Sequence, residues 1–545
     1  MTSAERNAPI TTAEAATAAL LAHGIDTVYG LPGTHNDSLF DAFYGARDRL
    51  RVIHTRHEQG GAFMALGAAL VTGKPQVFTV VPGPGLLNAG AAILTAEAMN
   101  APIIGLVGQI PRREIDRGHG FLHEIRDQVG LARHIAKFAA RIPNAAAAPR
   151  LIAEAFAIAQ RGRPGPVILE CGMDVWGEPG AVGAIDAARP AEAPPVDEGA
   201  VARAAAILGK ARRPIIVVGG GAQGASAEVT ALAELLEAPV IAYRRGQGVV
   251  SARHRLSVNL PIGHRMWREA DAVLAIGTRL LIQQTQWGTG PDLPIVRIDI
   301  EPEEPARLNP PAVALVGDAA DYAGALLRAL PAHNIVRPPA DLAPHRAWLA
   351  ERLSRLEPQA SYLRAMRDAL PENGVFIDEV TQLGFASRLA FPVYAPRTYL
   401  SPGYQDALGW GYGTALGVKA ARPDLPVLAI SGDGGFLYQA TELATAMHHN
   451  IAVVVVVFDN NAFGNVRLIQ QERYGGRLIA DSLTNPDFVK FAESFGVAAF
   501  RATTAPELER AVRDALALNR PALIHVPCGE MPSPWDMIMM PRVRG

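Results

Sequence analysis

Cysteine is nearly absent from this chain, with only Cys171 and Cys528 among 545 residues. Each closes an apolar run, VILEC and LIHVPC, which suits buried thiols and excludes a disulfide framework or a cysteine-ligated metal centre. A reducing, cytoplasmic setting is the expectation. A charge excess is missing too: 51 Lys and Arg stand against 53 Asp and Glu, a formal net charge of −2, which removes the electrostatic reason to bind nucleic acid or an anionic membrane. No apolar run approaches the ~18 residues of a membrane span. The opening MTSAERNAPI lacks the basic stretch and apolar core of a secretory signal. Neither nucleic acid nor membrane is therefore expected as a partner, and small molecules are.

What is present is enough apolar material for several cores. Hydrophobic residues make up 49% and charged residues 19%, a globular balance. At roughly 150 residues per domain the length predicts about three domains. Thr11 and Thr12 offer an N-cap for a helix that Gly24 stops, and β-branched residues 27–29 follow as a strand. RVIHT, a helix over 58–71, QVFTVV, a helix after Pro84 and PIIGLVG continue the alternation. Each strand is an almost unbroken apolar run, as parallel sheets covered on both faces require. The Pro-, Gly- and Ala-rich stretch 177–199 reads as a linker. A second series runs from RRPIIVVGGGA to IVRIDIEP, RPPADLAPH is the next linker, and a third contains VFIDEV, VLAISGDG and IAVVVVVFDNN. The predicted fold class is α/β, with three doubly wound parallel-sheet domains at 1–180, 195–335 and 345–545.

The strongest chemical signal is Gly432-Asp433-Gly434-Gly435 at the end of one strand, with Asn461 closing the next strand 28 positions after Asp433. One strand–helix–strand traverse takes about 30 residues and returns to the same carboxyl edge, where ligands bind in open α/β sheets. Asp433 and Asn461 are thereby neighbours. A carboxylate, an amide oxygen and a backbone carbonyl suit magnesium, which keeps phosphate and water in its remaining positions. The glycines let phosphate approach backbone amides. Either motif alone is a common turn composition; the pair at this spacing is not.

Together with Arg56-His57-Glu58-Gln59-Gly60 at a helix start, these motifs resemble the thiamine-diphosphate enzymes over essentially the whole chain. The resemblance implies pyrimidine-binding, middle and diphosphate-binding domains, with thiamine diphosphate and Mg²⁺ as cofactors. It assigns Asp433, Asn461 and the carbonyl of Phe463 to the metal. Glu58 becomes the carboxyl group that activates the aminopyrimidine, and an apolar site would raise its pKa above ~4.3. Leu408, 25 positions before Asp433 in DALGWGYGTALG, falls where the family places a bulky residue beneath the cofactor. Gly33, Thr381, Gly434, Gly435, Gly464 and Asn465 are assigned to the cofactor's surroundings, and a homodimer or homotetramer with the cofactor between chains is implied.

Within that family the chain is most similar to acetolactate synthases and related decarboxylases and carboligases, through LPGTHN, VPGPGLLN and VGQIPRREIDRGHGFLHEI. The likeness marks Gln109 as a catalytic amide, His35 as an acid–base candidate, and Thr34, Phe121 and Asn465 as substrate-pocket residues; His119 and His123 are weaker candidates, and His254 and His264 weaker still. It implies small carbonyl substrates: decarboxylation of a pyruvate-like 2-oxo acid with transfer to a second carbonyl, against hydrolysis of a cyclic 1,2-diketone or simple decarboxylation as of benzoylformate. Departures matter. Arg279 is followed by Leu280, Leu281 and Ile282 where an acidic pair belongs to flavin-binding members, so FAD is not indicated. The segment after Asn461 lacks the family's methionine and tryptophan and carries the polar Asn465. GGGAQG in the middle domain suggests a dinucleotide loop only faintly, without regular glycine spacing or an identifiable acidic partner. A non-catalytic nucleotide sensor would have no need of Glu58. The closing segment with Trp535 reads equally as a lid or a docked tail.

Overall fold

Thr11 caps the first helix, Thr12–Ala22, through a reciprocal capping box with Glu14. Gly24, at φ +76°, turns the chain into the strand Thr27–Gly30. The computed structural model describes residues 9–187 and 194–545; the start of the chain and part of the 177–199 linker lie outside them. Three six-stranded sheets carry the fold, and every strand pairing within them is parallel.

The N-terminal sheet runs, edge to edge, Arg51–His54, Thr27–Gly30, Gln76–Val80, Ile103–Gln109, Val167–Gly172, Phe138–Ile142. The C-terminal sheet repeats that order: Tyr399–Leu400, Val375–Ile377, Val427–Gly432, Val454–Asp459, Ala522–Pro527, Ala498–Arg501. The middle sheet differs. Its order is Ser257–Asn259, Val240–Ala242, Pro214–Val218, Ala272–Ile276, Ile295–Asp299, Val313–Val316, which reverses direction between its third and fourth strands. Such a switch point opens a crevice at the carboxyl edge.

Glu58–Thr72 and Trp410–Ala421 are apolar on nearly every side and pack against each other, joining the N- and C-terminal domains. A helix buried all round must be flanked on every face. Their approach depends on two glycines: a Cβ on Gly67 would stand 2.0 Å from the Thr414 carbonyl oxygen, and one on Gly417 1.9 Å from that of Met64. One apolar core consequently runs from Tyr29 and Phe78 in the first sheet to Val427 and Val455 in the third. The other face of the C-terminal sheet shares a core with the middle domain, through Phe376, Trp267 and Trp287. No helix among the described residues is long and apolar enough to cross a membrane.

Candidate active site

The strand Val427–Gly432 ends at Asp433 beside Val454–Asp459, with Gly432 paired to Phe458, so both strands deliver their C-termini to one edge. The Asp433 carboxylate is buried and accepts from the Ala462 N–H at 3.3 Å and the Asn485 amide at 2.7 Å. That same Asn485 nitrogen lies 2.8 Å from Asp459 Oδ1 and 3.4 Å from Asn461 Oδ1. One neutral amide nitrogen thus faces oxygens of three side chains, while Asn485 Oδ1 is buried with no partner. Burial pushes the Asp433 carboxyl above its ordinary pKa and nearby Asp459 adds to the rise. Among the described residues no lysine or arginine pairs with Asp433. Asn461 sits in the left-handed region at φ +53°, a conformation Asn tolerates. The Phe463 carbonyl accepts the Arg467 N–H at 2.9 Å, which leaves its second lone pair available.

Asp433 and Phe463 border a cavity of about 240 Å³, whose lining does not include the exposed Asn461. Thr381, Leu408, Asp433, Gly434, Gly435, Phe463, Gly464 and Asn465 all line it, together with Gln382, Cys528 and Met531, which the sequence reading did not select. Burial, with Asp433 and Asp459 close by, pushes the Cys528 thiol up to about 12, so it is an inert wall rather than a nucleophile. Leu408 reaches the floor: its Cδ1 is 3.5 Å from where a Gly435 Cβ would be. Below it lies Glu379, fully buried, accepting from the N–H groups of Val380 at 3.0 Å and Gly411 at 2.9 Å. Burial drives its pKa up to about 8 against the opposing pull of those bonds. Glu379 therefore braces the Leu408–Gly411 turn, where Gly409 adopts φ +81°.

Every residue lining the cavity belongs to the C-terminal domain. The N-terminal candidates lie elsewhere on the chain. Glu58 is the first residue of its helix, partly exposed, and accepts from the Asn88 amide at 3.0 Å. The turn before it is gripped from the C-terminal domain: buried Glu442 accepts from Arg56 N–H at 3.1 and 3.2 Å and from His57 N–H at 3.0 Å. Thr34 is exposed, and Gly33 donates to Asn36 Oδ1 at 2.7 Å.

Two of the expected catalytic residues are engaged within the chain. Gln109, expected as a catalytic amide, is buried at 2% exposure, with Nε2 donating to Glu170 at 3.1 Å and Oε1 accepting from Ile110 N–H at 2.8 Å. The strand's pleat turns it inward, to a network in which Gln128 also meets Glu170 (2.9 Å) and Gly83 N–H (3.1 Å). His35 was read as a loop imidazole facing the cofactor. It is 2% exposed, holds the Leu122 carbonyl at 3.0 Å through Nε2, and stacks on His123 at 4.9 Å. Burial lowers its pKa, so the ring is neutral near pH 7. Phe121 is 38% exposed beside it. Of the weaker candidates, His119 pairs with Glu114 at 2.9 Å, His254 with Glu234 at 3.1 Å, and His264 meets the Pro541 carbonyl at 2.8 Å. Trp535 packs on Phe385 and donates its indole N–H to Asn465 Oδ1 at 2.7 Å, tying the chain's closing segment to the cavity wall.

Comparison with known proteins bears on this edge directly. The N-terminal TPP-binding domain of thiamine pyrophosphate enzymes matches residues 10–131, their central domain residues 201–330, and their C-terminal TPP-binding domain residues 379–526. A probable 2-ketoarginine decarboxylase of Pseudomonas aeruginosa is 34% identical, over 95% of this chain and 94% of the relative. The chain belongs to the thiamine pyrophosphate enzymes. A probable acetolactate synthase large subunit of Methanocaldococcus jannaschii is 33% identical over 94% of this chain and 91% of its own length. The large subunit of acetolactate synthase isozyme 1 from Escherichia coli is 30% identical, covering 92% and 91%. The chain is thus a thiamine-pyrophosphate-dependent enzyme of the 2-oxo acid decarboxylase and carboligase group. The site's residues fit the cofactor's diphosphate and a magnesium ion: a buried carboxylate without a cation, an orphaned amide oxygen, and side-chain-free walls at Gly434 and Gly435.

The middle sheet holds a further cavity of about 360 Å³ at its switch point, lined by Gly220, Gly221, Arg245, Arg279, Asp299 and Arg397, among others. The GGGAQG loop forms one wall. Asp299, paired with Arg163 at 3.7 Å, is an acidic residue at a strand end that the sequence reading did not single out. Arg279 lies over the Tyr404 ring at 4.3 Å.

Proposed function

We propose that this enzyme decarboxylates a 2-oxo acid with thiamine diphosphate and magnesium, at a site completed by a second copy of the chain. The observation that carries the proposal is the split between a cavity lined wholly by C-terminal residues and a partly exposed Glu58 that is not among them. Asp433, Asn461 and the Phe463 carbonyl would hold the magnesium ion, with Asn485 swinging aside or turning its free oxygen inward. Gly434, Gly435 and Thr381 would receive the diphosphate, with Gly464 and Asn465 flanking it. When bound, thiamine diphosphate supplies the carbon nucleophile and the electron sink that decarboxylation needs. Leu408 would fill the space beneath the bound cofactor. Glu58 of the second copy would place its carboxyl group against the cofactor's aminopyrimidine, its helix start held by the Glu442 contact. Thr34, His35 and Phe121, from the same domain as Glu58, would close the substrate side, His35 moving a proton only if its Leu122 contact opens. Gln109 supports that face through Glu170 and Gln128.

The fate of the remaining fragment divides two readings. The helix Gly464–Arg473 buries none of its residues and brings polar Asn465 to the cavity wall, which supports a donor acid with a polar side chain and release by protonation. Transfer to a second carbonyl, as in the acetolactate synthases, is the other reading, supported by 30–33% identity over nearly the whole chain. The test supplies pyruvate, benzoylformate, 2-ketoarginine and cyclohexane-1,2-dione separately to the protein with thiamine diphosphate and Mg²⁺. Carbon dioxide and products are followed by NMR, with Glu58→Gln as control. An aldehyde from one 2-oxo acid supports decarboxylation, and acetolactate supports transfer. Ring opening of the dione without carbon dioxide would replace both readings with a hydrolase.

A further inference from the structure

Outside this site, three histidines meet where the N- and C-terminal domains touch. His54 ends the edge strand Arg51–His54, while His448 ends the helix Leu443–His448 and His449 caps it. Their ring centroids are 4.6, 4.8 and 4.7 Å apart pairwise, and one nitrogen from each lies within 4.8 Å of the others. Among the described residues no hydrogen bond engages a ring nitrogen of His54 or His448. His449 Nε2 faces the His54 carbonyl at 3.3 Å.

We propose that His54, His448 and His449 form a binding site for a borderline transition-metal ion of the zinc and cobalt class, joining the two domains. Imidazole suits such ions, whereas magnesium, which prefers oxygen, does not compete. A tetrahedral ion at about 2.0–2.1 Å from each nitrogen needs ligand atoms roughly 3.4 Å apart, so nitrogens that lie within 4.8 Å of one another close by up to about 1.4 Å. His448 is exposed and free to make that movement. The contact of His449 Nε2 with a backbone carbonyl leaves Nδ1 for the ion, the arrangement in which metal-bound imidazoles are commonly held. Burial lowers the pKa of His54, and burial with the two neighbouring histidines takes His449 down to about 4, so both offer unprotonated nitrogen at neutral pH. Arg51, which donates to the His449 carbonyl at 3.3 Å, and Arg56 add positive charge and limit the affinity. The fourth position stays open to water or an anion.

The segment concerned leads directly into Glu58, so an ion here would add a second anchor to the one Glu442 provides. The experiment uses tag-free full-length protein, stripped with a chelator and returned to saturating thiamine diphosphate and Mg²⁺. It is titrated with Co²⁺ and then Zn²⁺, following the visible cobalt band, calorimetric heat and thermal midpoint. One equivalent of cobalt is expected to bind per chain, to be displaced by zinc and to raise the midpoint. His448→Ala, a surface change that leaves the fold intact, is expected to weaken uptake by about tenfold or more, and His54→Ala to do the same. Absence of stoichiometric uptake overturns the proposal, as does uptake that is unchanged in His448→Ala.

Discussion

The two faces that carry the chemistry are built in opposite ways. At the C-terminal cavity Asp433 is buried and, among the described residues, has no lysine or arginine partner, while Gly434 and Gly435 line the space beside it. In the N-terminal domain Glu58 is partly exposed, and the other polar candidates, Gln109 and His35, already have protein partners. The first region is a receptacle and the second a presenting surface. On the proposed reading, one chain would hold the diphosphate but supply only half of a catalytic centre.

The sharpest way to break this comparison is Asp433→Ala, which removes the cavity's main anion. Cofactor affinity, read by fluorescence quenching or calorimetry, should fall at least about a hundredfold, because the ion pair with magnesium is lost in a buried site. Glu58→Gln should do the reverse. Affinity should change by less than about tenfold while turnover drops about a hundredfold or more, the range of a positioned proton donor. A comparable loss of affinity in both variants would erase the distinction between receptacle and presenting surface. Mixing the two inactive variants after reversible dissociation tests the second copy directly. In a twofold dimer, random pairing restores about a quarter of the sites. Activity that stays at zero, with mixed dimers confirmed by mass spectrometry, would place Glu58 and Asp433 of one chain in the same site.

A smaller effect sharpens the receptacle itself. Glu379 has its folded pKa raised to about 8 from an ordinary 4.5 by burial. The contribution is fully present below about 4.5, where both states are protonated, and is lost as pH rises through 8, on the order of a few kcal/mol. Glu379→Gln should therefore flatten the decline of thermal midpoint between pH 5 and 8 relative to wild type. Equal slopes would show that the carboxyl is already ionised and held by the Gly411 and Val380 amides. Gly67→Ala, at the contact with Thr414, is expected to cost about 1–3 kcal/mol in urea unfolding by overpacking.

What could be read in advance was what strand ends and spacing determine. The helix beginning at Glu58 and the shared edge of Asp433 and Asn461 follow from local patterning plus one crossover, whereas Leu408 at the cavity was implied by the family resemblance. Asn485 did not, because it lies 52 residues beyond Asp433 in an undistinguished LTNPD turn and acquires its place only when the chain returns. Glu379 and Glu442 were equally silent: a glutamate in a sequence reads as surface, and only the tertiary fold shows backbone amides aimed at it. Gln109 ends a strand and His35 sits in a loop, and neither position in the sequence reveals which way a polar side chain turns. Burial against Glu170 and Leu122 decides that.

The Glu442 contact has a mechanical meaning for an assembly of two chains. It lies nine residues after Asp433, on the segment that leaves the diphosphate turn, and it holds the backbone just ahead of Glu58. In a paired arrangement, each chain's lever arm for its neighbour's chemistry is hinged on the pedestal of its own cofactor. Loading one pedestal would then tilt the lever serving the other, so that the two centres keep time with each other instead of running as independent engines.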